Sequence, residues 1–337
     1  METGHDILFF WVARMAQMGL LLTGKLPFKK CYLHSIIRDE KGEKMSKSKG
    51  NIIDPMEVIN GCTIDELVKK IQDSTLAQKE KDKSIAAKKK HLPSGIAQCG
   101  SDALRFGILN LAKLGKDLNL DLNMLIVLRQ FCNKIWNSYK YTMEKIGDYV
   151  WDSNDIKAEN MSLIDKWILT KLNGCVTGVN GFFDSYHYSE ATECFKAFWT
   201  DNFCDIYLEH SKLVIIEGGH IGRVKCTKAI LFKIIETGLR LLHPMMPFMT
   251  EELYQKLPAF EGKSKTVSLA AYPAENLADS YPESSQFDVT LEILTTVRQL
   301  KGGVTLPPKT FPKIFLTTEE AGVNQALIAE FLPFVQN

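Results

Sequence analysis

The sequence predicts a short α/β unit, followed by a mainly α-helical bundle and a short final α/β segment. A β-rich run at 31–37 leads directly into a lysine-rich loop, as at the carboxyl edge of a parallel sheet, where ligands bind. Apolar residues then recur at helical spacing over 121–258. A helix at about 285–301 and a strand at about 311–317 begin a further α/β unit, which we expect to be incomplete.

The composition is that of an ordinary globular protein and excludes some classes of function. Of the 337 residues, 45% are hydrophobic and 24% charged, and the formal net charge is +1, so any nucleic-acid footprint has to be local. The 8 cysteines form no C-x-x-C pair and have no histidine at ligand spacing. We therefore expect reduced thiols and no zinc site, in a cytoplasmic protein.

The first helix is predicted over 5–22, and together with the β-rich run it makes one β-α-β fragment. Its apolar stretch ILFFWVA is too short for a signal-peptide core or a membrane span, because Asp6 precedes it and Arg14 ends it. The helical spacing of its apolar residues indicates a half-buried helix. No leader and no membrane span are expected.

Four apolar stripes predict the helices of the bundle, and polar or glycine-rich loops separate them. The stripes contain Met124, Leu128, Phe131, Ile135 and Tyr139; Ile164, Ile168, Leu172, Cys175, Val179 and Phe182; Phe195, Phe198, Trp199, Phe203, Ile206 and Tyr207; and Ile230, Ile234, Ile235, Leu241 and Leu242. Aromatic residues at this spacing indicate a core rather than platforms for stacked bases. The composition loosens after 258, which predicts a linker.

A polar segment of mixed charge, 61–120, joins the two predicted units. Its run KEKDKSIAAKKKH indicates an exposed helix in a solvated hairpin rather than an arm that binds nucleic acid. In GSDALRFGILNLA, towards the end of the segment, either Ser101 or Asp102 is expected to cap a helix.

The lysine-rich loop has the sequence EKGEKMSKSKGNIIDP over 40–55. It combines Lys44, Lys47 and Lys49 with two serines and a glycine, which on their own would suit an ordinary solvated turn. KMSKS followed by GNIIDP nevertheless resembles the second signature loop of class I aminoacyl-tRNA synthetases. Further along, CGSDALRF resembles the D-A-L-R element that leads into their anticodon-binding bundle.

Four more segments resemble the valyl-tRNA synthetase family in the expected order: ETGHDILFFWVARM, RQFCNKIWN, DNFCDIYLE and RLLHPMMPFMTEEL. The isoleucyl family is the nearest alternative, and the resemblance covers about 1–260. It implies the C-terminal part of a Rossmann-type catalytic domain at 1–60, a polar insertion and stem-contact connection at 61–120, a helical anticodon-binding domain at 121–258, and a linker with an incomplete α/β unit at 259–337. The implied function is activation of valine with ATP and transfer of the valyl group to valine tRNA.

The resemblance also implies roles for residues of the loop. Lys44 and Lys47 are the expected catalytic residues, because a cation beside the triphosphate stabilises the charge that builds up in the transition state. Met45, Ser46 and Ser48 are expected to bind ATP or the adenylate. The substrate complex is ATP with Mg²⁺, and neither a prosthetic group nor a metal ion held by the protein is expected.

Two further groups follow from the match of TGHD and the helix after it. Gly4 allows close approach of the adenosine and Asp6 accepts hydrogen bonds from the ribose hydroxyls, although a carboxylate there also suits a helix cap. Trp11 and His5 are expected in the amino-acid pocket, with a buried structural tryptophan as the alternative for Trp11. Valine tRNA is the expected partner, valine and ATP are bound in the full-length enzyme, and no membrane partner is expected.

The other class I signature, H-I-G-H, does not occur in the sequence. GGHIGRV at 218–224 has Arg223 in place of the second histidine and lies between two predicted bundle helices, so we expect a loop there. We therefore expect the chain to be a C-terminal portion of a larger synthetase, without the N-terminal catalytic half and the editing insertion. The alternative is a tRNA-binding module that has no catalytic activity.

We expect the purified chain to give no valine-dependent exchange of pyrophosphate into ATP. Adenylate formation needs both sides of the triphosphate to be held in near-attack geometry, and the sequence carries the lysine loop without its histidine counterpart. The measurement is exchange of labelled pyrophosphate by protein shown by mass spectrometry to be free of host synthetase. Sustained exchange would show that the lysine loop does not need that counterpart.

Overall fold

The computed structural model describes residues 1–39, 42–46, 50–113, 115–216, 220–276 and 279–303. They form a small α/β unit and a larger helical bundle. The strands are β1 (Glu2–Gly4), β2 (Tyr32–His34), β3 (Ile37–Arg38) and β4 (Leu118–Asn119). The helices are α1 (Ala13–Thr23), α2 (Pro55–Asn60), α3 (Ile64–Gln72), α4 (Gln78–His91), α5 (Ser101–Leu111), α6 (Leu122–Ile146), α7 (Leu163–Asp184), α8 (Tyr188–Ala197), α9 (Leu208–Ile216), α10 (Ile221–Leu242), α11 (Pro247–Gln255) and α12 (Ser285–Gly303).

The α/β unit contains the predicted β-α-β arrangement. β1 and β2 pair in parallel, and the helical stretch from His5 to Thr23 connects them. The β-rich run does not continue as one strand, because the chain changes partner at Ile36. The Ile36 carbonyl accepts the N–H of Leu118, and its own N–H donates to the Asp117 carboxylate. β3 therefore pairs with β4 in a second parallel pair.

The helical stretch between β1 and β2 is mostly exposed, so the prediction of a half-buried helix is wrong. It begins with a 3₁₀ turn (His5–Ile7) and a π-helical turn (Leu8–Val12) before α1. Phe9 is 76% exposed and Phe10 is 64% exposed. A window in this stretch has a mean hydropathy of 1.3 and is 6% buried, so length and composition alone would allow it to cross a membrane. A large exposed apolar surface equally marks a protein contact.

The bundle is organised around Trp199, which is fully buried on the π-helical segment Phe198–Tyr207 between α8 and α9. Its ring stacks on Phe195 with centroids 5.5 Å apart, and its N–H donates to the hydroxyl of Ser138 on α6 at 3.1 Å. On α10 the ring lies against Gly238, where an added Cβ atom would overlap the indole. The close approach of α10 to the π-helical segment therefore requires a residue without a side chain at that position.

The predicted apolar stripes form the core of the bundle. α6, α7, the segment from α8 to α9, and α10 bury the residues that the periodicity assigned to them, or pack those residues against the core. The predicted loop at 218–224 is wrong from Ile221 onwards, because α10 begins there. The His220 side chain accepts the N–H of Gly222 at 3.3 Å and caps this helix.

Asp102 joins two helices instead of capping its own. α5 follows Gly100 and has no side-chain cap, so the predicted cap at Ser101 or Asp102 is wrong. The Asp102 carboxylate accepts the N–H groups of Phe248 and Met249, at 3.3 and 2.6 Å, at the start of α11. Burial raises the pKa of Asp102, and the two N–H donors oppose that shift. The carboxylate thereby ties α5 to α11.

The segment after α11, predicted as a linker, packs on the bundle. Val267 in this segment is buried. The helix predicted at about 285–301 is confirmed as α12, and its Phe287 contacts Trp167 of α7 with ring centroids 4.9 Å apart. The Trp167 N–H donates to the Asp288 carboxylate at 2.8 Å. The predicted strand at about 311–317 lies outside the described residues.

An aromatic cluster joins the α/β unit to the bundle. Tyr32 of β2 contacts Tyr186 and Tyr188, at the turn between α7 and α8, with centroid distances of 5.4 and 5.7 Å. Lys30 lies over the Tyr186 ring at 5.6 Å. Tyr186 has a φ of +62°, a left-handed conformation that costs a residue other than glycine about 1–3 kcal/mol. The aromatic contacts offset part of this cost.

Two glycine-to-alanine substitutions in the bundle should have opposite effects on stability. Gly238→Ala places a methyl group in the space of the Trp199 ring and should destabilise the protein by about 1–3 kcal/mol. Gly174→Ala on α7, where no atom lies within 4 Å of the added Cβ, should stabilise it by up to about 1 kcal/mol. Urea unfolding followed by circular dichroism measures both. Equal stability of the Gly238→Ala protein and the parent would contradict the close packing of α10.

Candidate functional site

The lysine loop leaves β3 through a tight turn that brings Lys44 back beside Arg38 as an antiparallel bridge. The N–H of Asp39 donates to the Glu43 carbonyl at 3.0 Å, and the N–H of Glu43 donates to the Asp39 carboxylate at 2.8 Å. Gly42 within the turn has a φ of +77°, which glycine adopts without steric cost. The turn therefore fixes Lys44 at the end of β3.

Asp117 stabilises the end of β3, where the lysine loop begins. Its carboxylate pairs with Arg38 at 2.5 Å and accepts the N–H of Ile36 at 3.2 Å. The hydrogen bond from Arg38 is the main reason that the pKa of Asp117 lies below its usual value. Arg38 also donates to the Gly42 carbonyl at 3.2 Å. One guanidinium group thus links β3, the turn and the chain before β4.

Lys44 and Asp6, which the family resemblance assigns to one nucleotide site, contact each other in the structure. The Lys44 Nζ lies 2.5 Å from Oδ2 of Asp6, and the side chains are 58% and 35% exposed. The hydrogen bond from Lys44 lowers the pKa of Asp6. Because solvent reaches both groups, the pair adds little to stability and can exchange partners at low cost.

Gly4 ends β1 opposite His34 of β2, and its missing side chain leaves room for Asp6. A Cβ atom at Gly4 would lie 2.7 Å from Oδ1 of Asp6 and 3.7 Å from the His34 ring. The alternative role of Asp6 as a helix cap is wrong, since the helical turns between His5 and Thr23 have no side-chain cap. His34 is a neighbour of this site that the sequence analysis missed.

Asn51 closes the base of the lysine loop, and the sequence analysis missed it as well. Its Oδ1 accepts the N–H of Ser46 at 3.0 Å. Its Nδ2 donates to the Asp39 carboxylate at 2.9 Å and to the Lys44 carbonyl at 3.4 Å. One amide thus holds the two ends of the loop together with its acceptor and its donors. The signal was the Gly-Asn pair soon after the serines.

The other predicted site residues are only partly described. Met45 is half-buried and packs against the hydrophobic core. Trp11 is 54% exposed, so its alternative reading as a buried structural tryptophan is wrong. His5 is exposed in the 3₁₀ turn that contains Asp6. Lys47 and Ser48 lie outside the described residues.

A cavity of about 480 Å³ lies in the bundle, away from the lysine loop. Two cations in its wall are already paired: Lys233 with Asp279 and Arg240 with Glu236, each at 2.6 Å. Neither charge is therefore available to a ligand without breaking a pair. In the ranges that the structure describes, no cluster of three or more His, Cys, Asp or Glu side chains could hold a metal ion. The lysine loop remains the better candidate site.

Two family models match the chain. The model of class I tRNA synthetases (I, L, M and V) matches residues 1–121, and that of the anticodon-binding domain of tRNA ligase matches residues 165–316. A curated valine–tRNA ligase of Mus musculus is 40% identical over 100% of this chain, and one of Schizosaccharomyces pombe is 40% identical over 82% of it. The chain spans 27% and 28% of the lengths of these two proteins.

A solved structure of LeuRS from Agrobacterium radiobacter K84, in a ternary complex with tRNA and LeuAMS, has a similar fold. Its TM-score is 0.54 at 16% identity, and the match covers 83% of this chain and 29% of that one. The fold and the family matches define a class I aminoacyl-tRNA synthetase, and the chain belongs to that family. Curated valine–tRNA ligases of Mus musculus and Homo sapiens each match it along its whole length.

Removing Lys44 should raise the pKa of Asp6 towards its usual value of 3.8. A carboxyl group whose pKa is lowered on folding stabilises the folded state above its unfolded pKa, and this contribution is lost as the pH falls through the folded pKa. In Lys44→Ala, the contribution of the ionised Asp6 carboxyl group to the stability of the folded state should disappear, and with it the loss of that contribution at low pH. NMR titration of the Asp6 carboxyl group measures the shift, with Lys25→Ala as the control. An unchanged Asp6 pKa in Lys44→Ala would exclude the pair.

Proposed function

We propose that the chain forms the part of a valine–tRNA ligase that carries the lysine loop and the anticodon-binding bundle. The complete enzyme activates valine with ATP, releases pyrophosphate, and transfers the valyl group to valine tRNA. The supporting observation is 40% identity to a valine–tRNA ligase along the whole chain, and the contact of Lys44 with Asp6 agrees with it. The same similarity favours valine over isoleucine as the amino acid.

In the proposed reaction Lys44 changes its partner. ATP enters with Mg²⁺ as the substrate complex, and its phosphates replace the Asp6 carboxylate beside the Lys44 ammonium group. Negative charge grows on the departing pyrophosphate, so this contact is stronger in the transition state than in the ground state. Asp6 is then available to accept hydrogen bonds from the ribose hydroxyls. Each member of the resting pair thus has a substrate partner.

Lys47 is the second proposed catalytic cation, on the basis of its position in KMSKS. Met45, Ser46 and Ser48 are proposed to bind the nucleotide, with backbone or hydroxyl groups as donors. We assign this part of the chain to the C-terminal side of a Rossmann-type domain, in which Gly4 admits the adenosine. The parallel pairing of β1 with β2 supports that assignment.

The valine pocket is proposed to include Trp11 and His5. Both lie on the helical stretch that follows β1, His5 directly before Asp6 and Trp11 five residues after it, and both are exposed. An exposed indole can line a pocket for a small apolar side chain, and such a pocket distinguishes valine from isostructural threonine only by about 10²-fold.

Valine tRNA is the proposed macromolecular partner of the bundle. Two lysines of the bundle that could contact phosphates are already paired: Lys134 with Asp205 at 2.9 Å, and Lys166 with Glu283 at 2.9 Å. A phosphate must therefore displace a carboxylate at each of these lysines. We infer that affinity depends on shape and on contacts to unstacked anticodon bases more than on net charge.

A tRNA-binding module without catalysis is the second candidate, and the match of residues 165–316 to the anticodon-binding domain of tRNA ligase supports it. Both candidates bind tRNA, and they differ in whether the lysine loop acts on ATP. Exchange of pyrophosphate by a protein in which this chain is joined to an H-I-G-H domain separates them. Loss of exchange in Lys44→Ala of that protein supports the ligase.

We expect weak, salt-sensitive binding of the chain to valine tRNA, with a lower affinity when the anticodon is replaced. Each neutralised phosphate on single-stranded RNA adds roughly −0.7 to the slope of log affinity against log salt, so a few contacts give a shallow slope. The assay is a titration with wild-type, anticodon-swapped and isoleucine tRNA transcripts at two salt concentrations. Equal affinities for all three transcripts would contradict anticodon reading by the bundle.

A further inference from the structure

The hairpin formed by α3 and α4 has a contact that its composition does not explain. α4 is charged over most of its surface, yet it buries Ser84. A charged helix in a purely solvated hairpin has no reason to bury one small polar residue. The Ser84 hydroxyl faces Gly50 of the lysine loop.

The hairpin leaves no space for a side chain at position 50. Gly50 has a φ of +64°, and a Cβ atom there would lie 2.7 Å from the Ser84 Oγ and 2.8 Å from a methyl carbon of Leu76. Leu76 lies between α3 and α4, so both side chains that contact Gly50 belong to the hairpin. The backbone at Gly50 therefore rests directly on hairpin side chains, in a conformation that favours glycine.

The hairpin is itself held firmly, so it can act as a support. Cys62 and Ile96 exchange backbone hydrogen bonds of 2.9 and 2.7 Å across its base. Lys70 of α3 pairs with the buried Glu57 of α2 at 2.8 Å. Within the hairpin, Lys81 donates to the Gln72 carbonyl at 2.7 Å. These contacts connect α4 to α3 and, through Lys70, to α2.

Gly50 is connected to the candidate site through the next residue, Asn51. Asn51 binds the Ser46 N–H and the Lys44 carbonyl, and Lys44 binds Asp6. A displacement of Gly50 must move the Asn51 amide, and with it the backbone that carries Lys44. The path contains only adjacent residues and direct hydrogen bonds.

We infer that the α3–α4 hairpin is a positioning element for the lysine loop, with Ser84 and Leu76 as positioning residues that hold Gly50 and, through Asn51, keep Lys44 beside Asp6. The consequence for catalysis rests on the proposed function, whereas the mechanical link can be tested without ATP, valine or tRNA.

Ser84→Leu tests the link, because the larger side chain must push Gly50 away. Ala86→Leu is the matched control, since Ala86 is exposed on the same helix. In Ser84→Leu we expect the Ser46 amide to exchange with solvent about five- to tenfold faster, the factor expected from losing one hydrogen bond in a local opening equilibrium. We also expect the pKa of Asp6 to rise towards 3.8 as Lys44 withdraws. Ala86→Leu should change neither quantity.

The Asp6 pKa separates positioning from general destabilisation, because a loss of global stability does not move it while the native state is populated. Should Ser84→Leu fail to fold, Gly50→Ala makes the same collision from the loop side and carries the same expectations. Responses of Ser46 and Asp6 that are equal in Ser84→Leu and Ala86→Leu, or absent from Gly50→Ala, would overturn the inference. A chain that shows the expected responses but binds no valine tRNA would support the positioning role and contradict the proposed function.

Discussion

The contact between the Trp199 indole and Gly238 sets the spacing of the bundle, and the remaining helices follow from it. The ring fills the space between the π-helical segment and α10, and its N–H reaches α6 through Ser138. One side chain thus positions three helical elements. Because interiors are packed at crystal-like density, the neighbouring helices have few other arrangements that bury their apolar stripes.

The candidate site differs from the bundle, since it depends on exposed polar contacts instead of buried apolar ones. Lys44 and Asp6 neutralise each other in the resting chain, and Asn51 holds the loop by hydrogen bonds that solvent can replace. Such contacts add little free energy to folding but fix the positions of charged groups. The positions of these groups depend on two contacts outside the site: the Arg38–Asp117 ion pair at the end of β3, and the packing of Gly50 against the α3–α4 hairpin.

Periodicity predicted the bundle because a helical stripe is a local property of the sequence. The parts that failed depend on distant residues. The cap at Asp102 has its partner at Met249, the strand at 31–37 ends where Asp117 accepts a hydrogen bond, and the predicted linker contacts α7 where the N–H of Tyr281 donates to Thr170. None of these partners can be read from a window of neighbouring residues.

For the candidate site, the family resemblance supplied Lys44 and Asp6, and their contact agrees with a shared site. Physical reasoning from the residues alone would have left the lysines as a solvated turn. Asn51 and Ser84 were missed for different reasons. Asn51 lies close to the KMSKS motif, but an uncharged side chain there does not by itself indicate a role. Ser84 lies far along the chain, on a helix whose composition indicates full exposure.

The left-handed turn at Tyr186 makes α7 a lever between the two units. The helix has 22 residues and is therefore about 33 Å long. A tilt of about 2° around its first turn moves the far end by about 1 Å, a misplacement large enough to lower a catalytic rate about 10²-fold. Tyr32 receives that movement on β2, whose last residue is paired with Gly4. The strained turn thus connects a tilt of α7 to the end of β1, two residues before Asp6.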